Sequence, residues 1–193
     1  MKKILIMLMM ASCSPAELET SNEIVKKVEE VNTTVGFIET NECGWTLGEK
    51  ACDFQLPDQN ENLWRLSSEE GDLILLDFSA MWCGPCNMAA QTQQEIQDRY
   101  EDQGFQYAAI LIADSQDDVV DEIDVDTWTT RHLIDTAPVL RGDRSMLYSS
   151  IVMHGFPVSS WPTFVLIDRE GKVAFGLHGY NESYIVEQIE ANL

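Results

Sequence analysis

MWCGPCN, Met81 to Asn87, places two cysteines three residues apart, with Gly84 and Pro85 between them and Trp82 in front. Such a pair reads as half of a metal site, as two inert core thiols, or as a redox couple. A zinc site needs two more ligands. Cys43 and Cys52 do not form a matching knuckle, and the three histidines are scattered. Inert thiols have no use for the intervening dipeptide, which average composition would produce by chance at roughly 0.35 %. The redox reading uses every residue. Leu73 to Ser79 (LILLDFS) is a near-continuous apolar run containing one acid, the pattern of a strand buried on both faces. Asn87 to Tyr100 has no Gly or Pro and reads as a helix. Cys83 then stands at a helix N-terminus, where free backbone N–H groups and the helix dipole favour a thiolate. Cys86 lies one turn in, placed to attack a mixed disulfide. Pro85 suits the first turn because its missing N–H would have no partner there.

The pattern continues outward on both sides. Asp53-Phe54-Gln55-Leu56 and Leu63-Trp64-Arg65-Leu66 alternate apolar and polar around the turn residues Pro57-Asp58-Gln59-Asn60, as in a short hairpin. Phe105 to Ala113 (FQYAAILIA) is a second buried strand, and Asp117 to Leu133 is expected to be helical. Thr163 to Asp168, Glu170-Gly171 and Lys172 to Leu177 read as strand, tight turn and strand. Glu182 to Asn192 reads as a closing amphipathic helix with Tyr184, Ile185, Ile189 and Leu193 on its apolar side. Strands alternating with helices indicate an α/β fold.

A chain of 193 residues suffices for one domain with a sizeable core. A net charge of −21 argues against nucleic-acid binding, which needs a basic surface. The start is not part of the fold. Lys2 and Lys3 precede an apolar run, Ile4 to Ala11, too short to span a bilayer but suited to a secretory leader. Met10-Ala11-Ser12-Cys13 resembles a bacterial lipobox, with Met10 where most have Leu. The resemblance implies cleavage before Cys13 and acylation of its sulfur. The alternative is an ordinary leader cut between Ala11 and Ala16. Loss of the two leader lysines moves the net charge from −21 to −23. Five cysteines leave one unpaired, and lipid on Cys13 resolves the odd count. Proximity then pairs Cys43 with Cys52 and Cys83 with Cys86, in an oxidising compartment outside the cytoplasm. The expected domains are a leader over 1–12, an acidic tether over 13–42, and the folded domain over 43–193. The loop CGWTLGEKAC suits a structural staple contributing about 2–3 kcal/mol. A second exchanging pair is the alternative.

DFSAMWCGPC and WPTF, Trp161 to Phe164, resemble the two active-site segments of the thioredoxin superfamily. The resemblance spans Ala51 to Leu193. The leading hairpin and the long segment from Asp114 to Val158 are similar to the membrane-anchored TlpA/ResA-like (redoxin) thiol–disulfide proteins, relatives of the peroxiredoxins. It implies a thioredoxin-like fold, a central mixed β-sheet flanked by helices with an N-terminal β-hairpin extension. It implies an exported thiol–disulfide oxidoreductase on the periplasmic side. Substrates would be protein disulfides or dithiols, with a membrane partner for electrons and no cofactor. Cys83 would be the attacking thiolate, Cys86 the resolving thiol and Pro162 the cis-proline. Trp82, Gly84, Pro85, Trp161 and Thr163 would meet the substrate. Asp77 takes the buried-acid position; among Leu75, Leu76 and Phe78 its pKa should be raised, which suits a base for Cys86.

The sequence departs from the family pattern in three places. Thioredoxins carry a lysine near the acid on the next strand, and Phe105 to Ala113 has none. Gly-Pro between the cysteines resembles the reducing thioredoxins rather than many TlpA-like proteins. Trp161 is bulkier than the usual residue before the cis-proline. A peroxiredoxin would need Thr where Ala80 stands. Asp114 to Asp126 has seven acids in thirteen residues but lacks the EF-hand spacing, so it reads as a solvated face. Trp128 and His132, four apart, read as packing. The alternative function is a copper-binding or adaptor protein without exchange, in which His154 and His178 join Met81 or Met88. Related copper chaperones use C-x-x-x-C, a different spacing.

Overall fold

A computed structural model describes residues 35–39, 42–149 and 152–193. The leader, most of the acidic tether and Cys13 lie outside the described residues. The strands are β1 (Gly36–Glu39), β2 (Asp53–Pro57), β3 (Leu63–Arg65), β4 (Leu73–Ala80), β5 (Phe105–Ala113), β6 (Val139–Arg141), β7 (Thr163–Ile167) and β8 (Val173–His178). The helices are α1 (Gly84–Tyr100), α2 (Glu122–His132) and α3 (Glu182–Asn192).

β4 and β5 are buried along almost their whole length and sit at the centre of a five-stranded sheet ordered β6-β5-β4-β7-β8. β4 runs parallel to β5 and antiparallel to β7, so the sheet is mixed. The parallel pair is joined by α1, as a crossover requires. The β7–β8 turn closes at Gly171, whose φ of 75° places it in the left-handed region that glycine tolerates.

Period-two alternation divides the sheet into two faces. Leu73, Leu75, Tyr107 and Phe164 pack against Ala89 and Ile96 of α1 and Ile185 and Ile189 of α3. Ala109, Leu111 and Val139 meet Val125 and Trp128 of α2. All three helices therefore pack on this face. The opposite face, with Ile74, Leu76 and Phe78, is covered by Phe54, Leu56 and Trp64 of the hairpin and by Phe156. Phe156 lies 4.6 Å from the Phe78 ring centroid and 5.0 Å from that of Phe54.

The hairpin forms as expected. Asp58 Oδ1 accepts from the amides of Asn60 and Asn62 at 2.7 and 2.9 Å, which fixes its turn. It is not a simple hairpin, because β1 adds a third strand antiparallel to β2. β1 falls inside the stretch read as tether; Phe37 ties it down, its ring 5.1 Å from that of Phe156. α2 begins five residues later than expected. Asp121 and Asp124 form a capping box that fixes its start. The preceding acids instead build a turn in which Asp114 Oδ1 accepts from the amides of Gln116 and Asp118. The short strand β6 was not anticipated.

Candidate active site

β4 ends at Ala80, and Met81-Trp82 carry the chain into α1 with Cys83 as its N-cap. The Cys83 Sγ accepts from the Cys86 amide at 3.2 Å, the capping bond expected of a sulfur at this position. Cys83 and Cys86 are joined in a disulfide with Cα atoms 5.2 Å apart. Cys86 is wholly buried and Cys83 is 4 % exposed, whereas Gly84 and Pro85 stand in solvent. Trp82 is 45 % exposed, and its ring meets that of Trp161 edge-on at 6.3 Å.

The Trp161–Pro162 peptide is cis. Pro162 and Thr163 are buried and Trp161 is half-buried. This loop is anchored from β8: the Gly179 amide donates to the Pro162 carbonyl at 2.8 Å, and Thr163 Oγ1 lies 3.0 Å from His178 Nδ1. Trp161 packs against both cores, that of the cysteines included.

Asp77 is 1 % exposed, on the face of β4 that α1 covers. Burial pushes its pKa up to about 7. Two hydrogen bonds oppose that rise, one from Ser79 Oγ to Oδ1 at 2.7 Å and one from Tyr107 Oη to Oδ2 at 3.0 Å. Tyr107 stands on β5, the strand where thioredoxins keep a lysine. Its own pKa is raised well above the usual value, by burial first and then by Asp77. The acid is thus held by two neutral donors rather than by a cation.

A model of the AhpC/TSA family matches residues 47–175, about two thirds of the chain. The chain belongs to this family. The ResA thiol–disulfide oxidoreductase of Geobacillus thermodenitrificans is 26 % identical over 134 residues, covering 69 % of this chain and 70 % of that protein. ResA of Bacillus subtilis is 29 % identical over 126 residues, covering 65 % and 64 %. Among solved structures, a protein described as a thiol:disulfide interchange protein DsbE from Chlorobium tepidum is 28 % identical. It superposes with a TM-score of 0.63, covering 77 % of this chain and 99 % of that one. The exposed lipoprotein thioredoxin Etrx1 of Streptococcus pneumoniae is 25 % identical with a TM-score of 0.58, covering 72 % and 99 %. With this family, fold and motif, the chain is a thioredoxin-like thiol–disulfide oxidoreductase.

Three further residues reach this redoxin's site without any sign in the sequence. Asn87 Nδ2 donates to the carbonyls of Met81 and Cys83 at 2.9 and 2.8 Å, lacing the active-site turn to α1. Its Oδ1 lies 3.2 Å from His132 Nε2, so His132 braces the motif as well as packing on Trp128 at 4.5 Å. Burial, then Arg131, lowers the His132 pKa. Asp117 Oδ1 accepts from the Trp82 indole at 2.7 Å and pairs with Arg144. The acidic loop therefore holds Trp82 and is more than a solvated face. His178 is bonded to Thr163, and His154 lies 3.9 Å from Cys43. Cys43 and Cys52 form a disulfide with Cα atoms 4.8 Å apart. Among the described residues, the one group bringing three metal-ligating side chains together is Cys43, Cys52 and His154. Two of its donors are spent in that disulfide.

Proposed function

We propose that this redoxin is exported, lipid-anchored through Cys13, and reduces disulfides of extracytoplasmic proteins through Cys83 and Cys86. One observation carries the reading: the two sulfurs lie at the N-terminus of α1, the helix that packs on the face of β4 carrying the buried Asp77, and in the same core as Trp161 of the cis-proline loop. A substrate strand laid along the loop before Pro162 would present its disulfide to Cys83. The Cys83 thiolate attacks one substrate sulfur; the substrate S–S bond breaks, and the other sulfur leaves as a thiolate. Asp77 takes the proton of Cys86, whose thiolate attacks Cys83 Sγ and frees the second substrate thiol. Two electrons and two protons pass to the substrate, and the enzyme is left with the Cys83–Cys86 disulfide. A dithiol partner at the membrane would restore the reduced pair.

Export is supported by the leader pattern of Lys2 to Cys13, by the second disulfide, and by likeness to an exposed lipoprotein thioredoxin. No helix among the described residues is long and apolar enough to cross a membrane. The reducing direction is supported by Gly84-Pro85, which resembles the reducing thioredoxins. Cys86→Ala should accumulate mixed disulfides between Cys83 and client proteins, and Cys83→Ala should accumulate none. If neither variant traps a client and the wild type exchanges with no dithiol reporter, the assignment fails.

A further inference from the structure

We propose that Cys43–Cys52 is a second thiol–disulfide exchange site, entered at Cys43 and served by His154. The two cysteines differ in exposure. Cys52 is wholly buried, while Cys43 is half-buried and lines a surface pocket of about 370 Å³ together with Trp45, Tyr148, Met153, His154 and Pro157. Cys52 does not line it. A disulfide serving only as a staple needs neither an opening onto one sulfur nor an imidazole aimed at it.

His154 is held in place from two directions. Its carbonyl accepts from the Trp45 indole at 2.9 Å, and its Nδ1 lies 3.9 Å from Cys43 Sγ. The next residue, Gly155, approaches the backbone of Leu147 so closely that a Cβ would come within 2.5 Å of it. Backbone bonds from the Phe156 amide to Met146 and from the Tyr148 amide to Phe156, at 2.8 and 2.9 Å, fix that approach. The half-buried imidazole therefore sits beside Cys43, 111 residues away in the chain, on a segment anchored by the buried Phe156.

The exchange balances with an external dithiol as co-reactant. One thiolate of the dithiol attacks Cys43 Sγ; the Cys43–Cys52 bond breaks, and Cys52 leaves as a thiolate that takes up a proton. The second thiolate of the dithiol attacks its own sulfur in the mixed disulfide, and Cys43 leaves as a thiolate. His154, 3.9 Å from Cys43 Sγ, guides the incoming thiolate onto that sulfur in the first attack and hands the leaving Cys43 sulfur its proton in the second. The dithiol is oxidised to a disulfide, and Cys43 and Cys52 become thiols. Run in reverse, the reduced pair donates two electrons from Cys43. This site is independent of the Cys83–Cys86 reading.

The test uses the full chain carrying Cys83→Ser and Cys86→Ser, with dithiothreitol as the dithiol and alkylation of the Cys43 and Cys52 peptides as the readout. Reduction in the folded protein is expected to be faster than global unfolding followed by tryptophan fluorescence. His154→Ala is expected to slow it about tenfold or more. A second pair of variants avoids dependence on His154. In the same background, the Cys43 thiol of Cys52→Ser should react with dithiodipyridine at least about tenfold faster than the Cys52 thiol of Cys43→Ser. Reduction no faster than unfolding, a rate indifferent to His154, or equal reactivity of the two thiols would overturn the proposal.

Discussion

Replacing Asp77 by Asn should stabilise the protein at neutral and alkaline pH while slowing its chemistry. The carboxyl is fully buried, and its pKa rises from an ordinary 3.8 to about 7 in the fold. The folded state therefore keeps a proton that the unfolded chain has already released. Asp77 costs nothing below pH 3.8; as pH rises from there to about 7, stability falls by about 1.4 kcal/mol per pH unit. The full penalty for the charged form is about 4 kcal/mol. Asn carries no charge and still accepts a hydrogen bond from Ser79 or Tyr107. Urea unfolding of both proteins, disulfides oxidised, should show the advantage of Asp77→Asn growing between pH 5 and 7 and levelling off by about pH 8. A difference that stays constant across this range would refute the assignment of a raised pKa to Asp77. The same variant should slow resolution of the mixed disulfide by about 10²-fold, the scale of a lost general base.

Leu76 lies wholly buried between β5 and β7 in the face covered by the hairpin, and Leu76→Ala should cost about 2–5 kcal/mol in urea unfolding. Asn87→Ala removes the bonds to the Met81 and Cys83 carbonyls and strands His132; a loss of about 1–3 kcal/mol is expected in the same assay.

The central strands were legible because β4 and β5 are buried on both faces, and the code for that is a plain apolar run. The β7–β8 hairpin was marked by Glu170-Gly171, and α3 by its apolar spacing; both have the bounds read from the sequence to within a residue or two. The motif itself announced Cys83 and Cys86. Contacts made across the sheet were not legible. Tyr107 reaches Asp77 only because β5 pairs with β4 in one register, Leu75 opposite Tyr107 and Asp77 opposite Ala109. No local pattern records that pairing. The same holds for Asp117 and Trp82, 35 residues apart, and for His132 and Asn87, 45 apart. β1 was hidden because four residues give no usable period, and its strand is held by a distant phenylalanine. The start of α2 was misplaced because seven acids in a row of thirteen suit a helix N-terminus and a turn equally well.

Cys83–Cys86 is proposed to act as a reducing couple. Its direct test is the redox potential of that pair, read by alkylation of the peptide carrying both cysteines so that Cys43–Cys52 does not enter the signal. A potential near about −270 mV, the reducing end of the thioredoxin-like range, is the predicted result, and one near about −120 mV would make the protein an oxidant and contradict the account.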